Sequence, residues 1–441
     1  MSSSYRRPEG RTVPLLAVRG QPDRTVGASL AAARTAFVVG AALGVAQGAH
    51  AAGWDYSPRI EIGGMYNDNY RLAQSSVDKI HVSGALLDAQ FGMRLLTPTS
   101  ELSMVPKIVS SYFPNDTADQ STNGYFILGA DHKTLKGNYG IAGQYANESV
   151  IFSELLPADF PGVGLGQVVG ENGRVSVRNR RTLERLAPSM TYDLTPRRHL
   201  HLDAEYLHAS FSHNLIQQIG FNNVSAKAGM GFDVSKTSTF TANLLGARFE
   251  PNGSFGKTNS FGFDAQWDLR RTDIMRYYFR LGAVNSRSDV SFGTKTSTGV
   301  VGGTGVSWTY QVTQYVFDAV RAVTPTSTGS VENHNEVRFR VVRAFRPLLQ
   351  GFVGVRAVVM RGAVGQGLDV QGSDYLAGTA GFYYQLTQKY RLAGEYDYTY
   401  QKFEREPNAA SNSVGLSIIY QPWSKYEPLP DLNGLPVGLP Q

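Results

Sequence analysis

The side chains best placed to act on a solute are arginines set two residues apart. Arg276 and Arg280 flank Tyr278 at even spacing, and Arg338 and Arg340 alternate with Val337, Phe339 and Val341. Arg356 stands between Val355 and Ala357, and Arg391 follows further along the chain. Guanidinium groups pair with carboxylates and phosphates through a fork of N–H donors, so rows of them bias a wet path toward anions. Acidic side chains of matching phase are Asp203, Glu205, Asp264, Glu395 and Asp397. Two readings stay open: a network of compensating charges that stiffens a wall, or a basic strip that guides an anionic solute. The residues of the candidate solute path are Arg276, Tyr278, Arg280, Arg338, Arg340, Arg356, Arg391, Glu395 and Asp397.

Other groupings carry less chemistry. His199-x-His201-x-Asp203-x-Glu205 puts four potential ligands on one strand face. Alternate residues lie about 6.5–7 Å apart, so two histidines could share a metal. A polar strand face gives the same pattern, and no further cluster completes a coordination shell. Gly162-x-Gly164-x-Gly166 has no strand-to-helix setting and reads as slack in a long connection, not as a nucleotide loop. Ser76-x-x-Lys79 has no companion motif, and no serine, histidine and acid triad is present. No catalytic residue and no cofactor is expected.

The elements that position these side chains are strands. Val224, Ala226, Ala228, Met230, Phe232 and Val234 take one face of a stretch whose other face is Asn223, Ser225, Lys227, Gly229, Gly231 and Asp233. Phe261, Phe263, Ala265, Trp267 and Leu269 oppose Gly262, Asp264, Gln266 and Asp268 in the same way. Helical spacing cannot produce such strict alternation. About 18 stretches of this kind follow one another, each near the ten residues that a tilted membrane-spanning strand needs. An even number returns the chain to its starting side.

A phrase recurs along them: Tyr192-Asp193-Leu194-Thr195, Phe232-Asp233-Val234-Ser235, Trp267-Asp268-Leu269, Tyr310-Gln311-Val312-Thr313 and Tyr384-Gln385-Leu386-Thr387. A fixed period names a repeating unit. Here the unit is a hairpin with an aromatic at constant height and a polar residue opening the turn. Short turns are expected at these sites, at 97–99 and at 136–137. Longer connections are expected at 67–79, 114–123, 149–180, 212–220, 251–257, 286–296, 324–335, 361–373 and 402–410. The fold class is therefore all-β: a single antiparallel transmembrane β-barrel of about 18 strands, with short periplasmic turns and long extracellular loops. The 149–180 connection is long enough to fold inward as a constriction or lid.

Composition agrees. The chain has 441 residues, 47 of them glycine, with 11% aromatic, 18% charged and no cysteine. Absent cysteine removes disulfides, thiolate metal sites and a lipoprotein anchor. The net charge of +6 is concentrated in residues 1–51, where six arginines face two acids, so a basic balance gives no support to a nucleic-acid partner. Thr35 to Ala46 is a small and apolar run that ends in Ala49-His50-Ala51, the pattern of a cleaved signal peptide over residues 1–51. Residues 52–423 are the expected outer-membrane barrel. Residues 424–441, with Pro428, Pro430, Pro436 and Pro440, read as an extended periplasmic tail.

Gly63-x-Met65-Tyr66-Asn67-Asp68-Asn69-Tyr70-Arg71-Leu72 and Ser189-x-x-Tyr192-Asp193-Leu194-Thr195-Pro196-Arg197 resemble the β-barrel porins found beside exopolysaccharide loci. The resemblance runs from about Trp54 to Trp423. It implies a bacterial outer-membrane location, passage of a secreted polysaccharide, and periplasmic export components as partners beside the membrane lipid. Ser413-x-Gly415-x-x-Ile418-x-Tyr420 also resembles the C-terminal insertion signal of outer-membrane barrels. The alternatives are a general or anion-preferring porin for small solutes, or a structural barrel whose loops or tail bind a partner.

Overall fold

The structure, a computed structural model, describes residues 53–422 apart from 76–77, 117–118, 152–178, 214–217, 254–255, 273, 291–292, 365–371 and 405–406. The expected signal peptide and proline-rich tail, the glycine triplet at 162–166 and the centre of the 149–180 connection lie outside the described residues.

Eighteen strands follow in order. They are β1 (Trp54–Asn67), β2 (Val82–Leu96), β3 (Ser100–Tyr112), β4 (Ser121–Thr134), β5 (Gly137–Ser149) and β6 (Arg180–Thr195). Next come β7 (Arg198–Phe211), β8 (Phe221–Ser235), β9 (Ser238–Pro251), β10 (Thr258–Thr272), β11 (Met275–Val290) and β12 (Gly293–Tyr310). The last are β13 (Thr313–Pro325), β14 (Val331–Arg346), β15 (Leu349–Val364), β16 (Ser373–Gln385), β17 (Tyr390–Phe403) and β18 (Ala409–Tyr420). Each pairs with its chain neighbours, and β1 pairs with β18, so the sheet closes. Closure is what the lipid demands, because each unpaired backbone group in hydrocarbon costs several kcal/mol.

Alternation decides the two faces. Ile62 (60% exposed), Val224, Phe261 (67%), Phe263 and Leu281 stand on the outer surface, while Asn223, Asp264 and Ser286 are buried inside. The phrase aromatics Phe232, Trp267, Tyr310 and Tyr384 are exposed on the outer face near the short turns. Tyr66, Tyr112, Tyr145, Tyr206 and Tyr396 stand exposed toward the opposite end, which gives a second belt. Paired aromatic belts fix the depth of a barrel in the bilayer, and this is an outer-membrane protein.

The short-turn end is stitched from strand to strand, from the β2–β3 turn round to the end of β18. In every short turn the last residue's carbonyl accepts a hydrogen bond from an amide at the close of the next even-numbered strand, or just beyond it after β18. Thr99 accepts from Lys133, Lys136 from Asp193, Arg197 from Asp233 and Thr237 from Arg270, and the series continues through Ile274, Val312, Leu348 and Lys389, all at 2.7–3.0 Å. A register shift follows the donors Asp193, Asp233, Arg270 and Ala344. Where the sequence suggests that Asp193 opens a turn, the strand instead runs on to Thr195 and the turn falls at 196–197. The polar residue sits at a bulge because its amide is needed by the neighbouring turn.

Two expected long connections are short. β11 and β12 extend to Val290 and Gly293, and β13 and β14 to Pro325 and Val331, leaving residues 291–292 and 326–330. Thr294, Thr296 and Thr298 continue the alternation through a stretch that composition marks as a loop. β-Branched side chains fit a pleated surface whether or not they are apolar.

Candidate functional site

The polar interior of the barrel is the candidate site. Cross-strand register determines which side chains share it. Arg280 stands opposite Gln266 and Tyr278 opposite Asp268, on the face that carries buried Asp264. Through β12 the same face continues to Asp318 on β13, then Arg338 on β14, then Arg356 on β15. Thr379 on β16 faces Asp397 on β17, and Gln385 faces Arg391. All nine residues picked from the sequence lie on this inner face.

They do not form one strip. Arg280 donates to Asp264 at 2.5 Å, and Asn243 donates to the other oxygen of that carboxylate at 2.7 Å. Arg338 and Arg356 both reach Glu336 Oε1, at 2.8 and 2.7 Å, and His334 Nε2 lies 2.9 Å from Glu336 Oε2. The Tyr278 hydroxyl donates to Asp318, which also stands 4.0 Å from Arg338. Thr379 donates to Glu395 at 3.0 Å and to Asp397, so these two carboxylates share one hydroxyl. Arg276 and Arg391, both toward the short-turn mouth, have no carboxylate within salt-bridge distance among the described residues.

Much of the remaining wall follows the same rule. Arg181 and Tyr125 hold the two oxygens of Glu148, at 2.6 and 2.9 Å. Lys107 lies 2.8 Å from Asp88, and Arg185 pairs with Glu205. The His199 face disperses: His199 bridges Asp193 and Asp233 at 3.0 Å each, His201 meets Thr191, and Asp203 meets Lys227 at 2.9 Å. Its four side chains turn to different neighbours instead of converging on a point.

Reading individual strands misses Glu148, Arg181, Glu336 and His334. Their phase places them inside, but the signal is their register across neighbouring strands, which one strand does not carry. The same reading misses Phe352 and Tyr383 as well. Their rings stack inside at 5.2 Å between centroids, beside the cross-strand pair Gln385 and Arg391.

Toward the long-loop end the interior turns apolar. Val109, Tyr125, Ala146, Leu183, Leu207, Phe221 and Phe249 form one buried cluster on the β3–β9 side, and Val331 joins it from β14. The motif Asn67-Asp68-Asn69-Tyr70-Arg71-Leu72 folds over the β1–β18 junction above this level. Tyr70 packs edge-on against Phe113 at 5.1 Å, and Arg71 donates to Asp119 at 2.9 Å. Tyr70 and Leu72 belong to a second buried apolar cluster with Val82, Ile151 and Ala409. Burial pushes the Tyr70 phenol up, and the nearby Asp119 carboxylate pushes the same way.

No family model matches this chain, and no curated protein matches it. Among solved structures it is similar to the outer membrane protein opdK from Pseudomonas aeruginosa, with 10% identity, TM-score 0.42, and 84% of this chain and 99% of that chain covered. The outer membrane channel DcaP of Acinetobacter baumannii gives 12% identity, TM-score 0.41, and 83% and 96% covered. The FrpB iron transporter from Neisseria meningitidis gives 8% identity, TM-score 0.43, and 83% and 81% covered.

Proposed function

We propose that this barrel is the outer-membrane conduit for export of an exopolysaccharide, working with periplasmic export components that deliver the polymer. The observation that supports this reading is a wall whose charges are largely neutralised in place. Arg280, Arg338 and Arg356 each hold a carboxylate, and hydroxyls such as Thr379 and Tyr278 fill positions between them. A polyhydroxyl chain meets such a wall through many weak, exchangeable hydrogen bonds and finds no deep ion well to stall it. The Phe352–Tyr383 stack offers an apolar face of the kind that sugar rings pack upon.

A second reading, an anion-preferring porin for small solutes, draws on Arg276 and Arg391. Among the described residues no carboxylate pairs with their guanidinium groups, which lie toward the short-turn mouth, where a negative solute taken up through the pore would emerge into the periplasm. Deleting the gene separates the readings. Loss of secreted polymer with small-solute uptake intact supports export, whereas normal polymer with impaired anion uptake sinks it.

A further inference from the structure

The wall has a seam. β12 pairs with β13 only from Gly302↔Arg321 down to Tyr310↔Thr313, although β13 and β14 stay paired up to Pro325↔Val331. β12 meanwhile stays paired with β11 up to Gly293. Above Gly302, therefore, the tip of the β13–β14 hairpin has left its neighbour. The Arg321 guanidinium donates to the Val300 carbonyl at 3.0 Å, so a side chain takes the place of ladder hydrogen bonds where the strands part.

The tip goes inward. By alternation Gly299 belongs to the inner face of β12, whereas Val323 and Asn333 carry the outer phase of their strands. A Cβ built on Gly299 would nevertheless lie 3.3 Å from Asn333 Oδ1 and 3.6 Å from a Val323 methyl. The outer side of the hairpin thus rests on the inner side of β12, and glycine leaves room for it. Further out, the Ile219 amide donates to the Ser327 carbonyl at 2.8 Å, and Val331 enters the apolar cluster with Phe221 and Phe249. These contacts belong to the β7–β9 wall, so the tip crosses the mouth.

Opposed features keep the tucked position from being deeply stable. Thr326, Ser327, Ser330 and Glu332 are buried, and Thr326, Thr328 and Ser330 surround Glu332 Oε1 at 3.1–3.2 Å. Against this, Thr324 Oγ1 and Asn333 Oδ1 are buried with no hydrogen-bond partner among the described residues. Each such group has given up water without gaining a partner, which costs stability in the tucked position. Continuing the observed register would set Ala322 opposite Val301 and Val323 opposite Val300, restoring backbone pairs that the seam lacks.

We propose that the β13–β14 tip, residues 322–334, is a built-in plug that closes the extracellular mouth and opens it by zipping back onto β12. This rests on the interior being a path for solute, whatever its cargo. The test is planar-bilayer conductance in potassium chloride, which reads the plug without reference to polymer. The chain has no cysteine, so Ile219→Cys with Ser327→Cys gives a single reversible lock. Oxidation should abolish channel openings and reductant should restore them. Equal openings in the two states, with the cross-link confirmed by mass, overturn the proposal. Gly299→Leu is an independent variant that denies the tip its resting place and should raise open probability. An open probability equal to that of the unaltered barrel overturns the proposal as well.

Discussion

The carboxylate of Asp68 accepts hydrogen bonds from both the backbone and the side-chain amide of Asn412, each at 2.7 Å, and so ties the first loop to the last strand. Its neighbours reinforce the tie. Ser411 donates to Asn67 Oδ1 at 2.9 Å, and the Asn69 amide donates to the carbonyls of Ala410 and Ala73 at 2.9 and 3.0 Å. The Asn-Asp-Asn phrase is a clasp over the β1–β18 junction. That junction is the one strand pairing in the barrel that no hairpin turn or loop enforces, so a clasp matters most there.

Asp68→Ala should therefore weaken the closed barrel. Hydrogen bonds to a charged acceptor contribute about 1.5–3 kcal/mol each. The temperature at which the compact form is lost in detergent gels should fall, and Asp68→Asn should fall less. An unchanged temperature for Asp68→Ala would remove the clasp from the account of closure.

Arg280 and Asp264 give a prediction of a different kind. Asp264 is 1% exposed, and its partners include Arg280 at 2.5 Å and Asn243 at 2.7 Å. Arg280→Gln strands a buried charge, a change that costs about 3–5 kcal/mol. The result should be a folding defect, and Arg280→Gln with Asp264→Asn should recover much of it. If the single variant folds as well as the parent while losing anion preference, Arg280 acts on solute and the wall reading fails there.

The sequence carried the barrel further than it carried the site. Alternation in stretches such as Asn223 to Val234 is a property of one strand and could be read directly, down to which face meets lipid. The repeated aromatic phrase marked the short-turn rim, yet its spacing to the turn varies. Tyr192 and Phe232 immediately precede the amides that bond the neighbouring turn, whereas Trp267 lies two residues earlier relative to that donor and Tyr310 two later. A shift of two keeps the face and hides the difference. Ion pairs such as Arg356 with Glu336 depend on registers across adjoining strands, and the tucked hairpin depends on a ladder that stops. Neither leaves a mark on any single stretch.

Tyr70 links the first loop to pH. Its phenol is pushed up by burial and by Asp119, so folding favours the neutral form. A group raised on folding contributes its stability in full below the ordinary phenol pKa of about 10 and loses it as pH climbs beyond that value toward the folded one. Tyr70→Phe should leave the ultraviolet phenolate titration unchanged up to the pH of unfolding. It should also move alkaline unfolding to higher pH. Loss of one tyrosine's absorbance from the step near the ordinary value would contradict the burial argument.

Arg276 and Arg391 bear on selectivity. Both face inward near the short-turn mouth, opposite Arg270 and Gln385 in register, and no carboxylate approaches either within salt-bridge distance among the described residues. Their field is therefore not cancelled locally as that of Arg280 or Arg356 is, and it acts on any ion passing within a Debye length of about 8–10 Å. Replacing both by Gln should shift the reversal potential in a salt gradient toward cation preference while the barrel stays as stable as before. The shift should shrink at high salt, because screening removes the field whether or not the arginines are present. A reversal potential equal to the parent's at low salt would show that the ion path does not pass these side chains. The basic-strip reading would then have lost the two residues best able to support it.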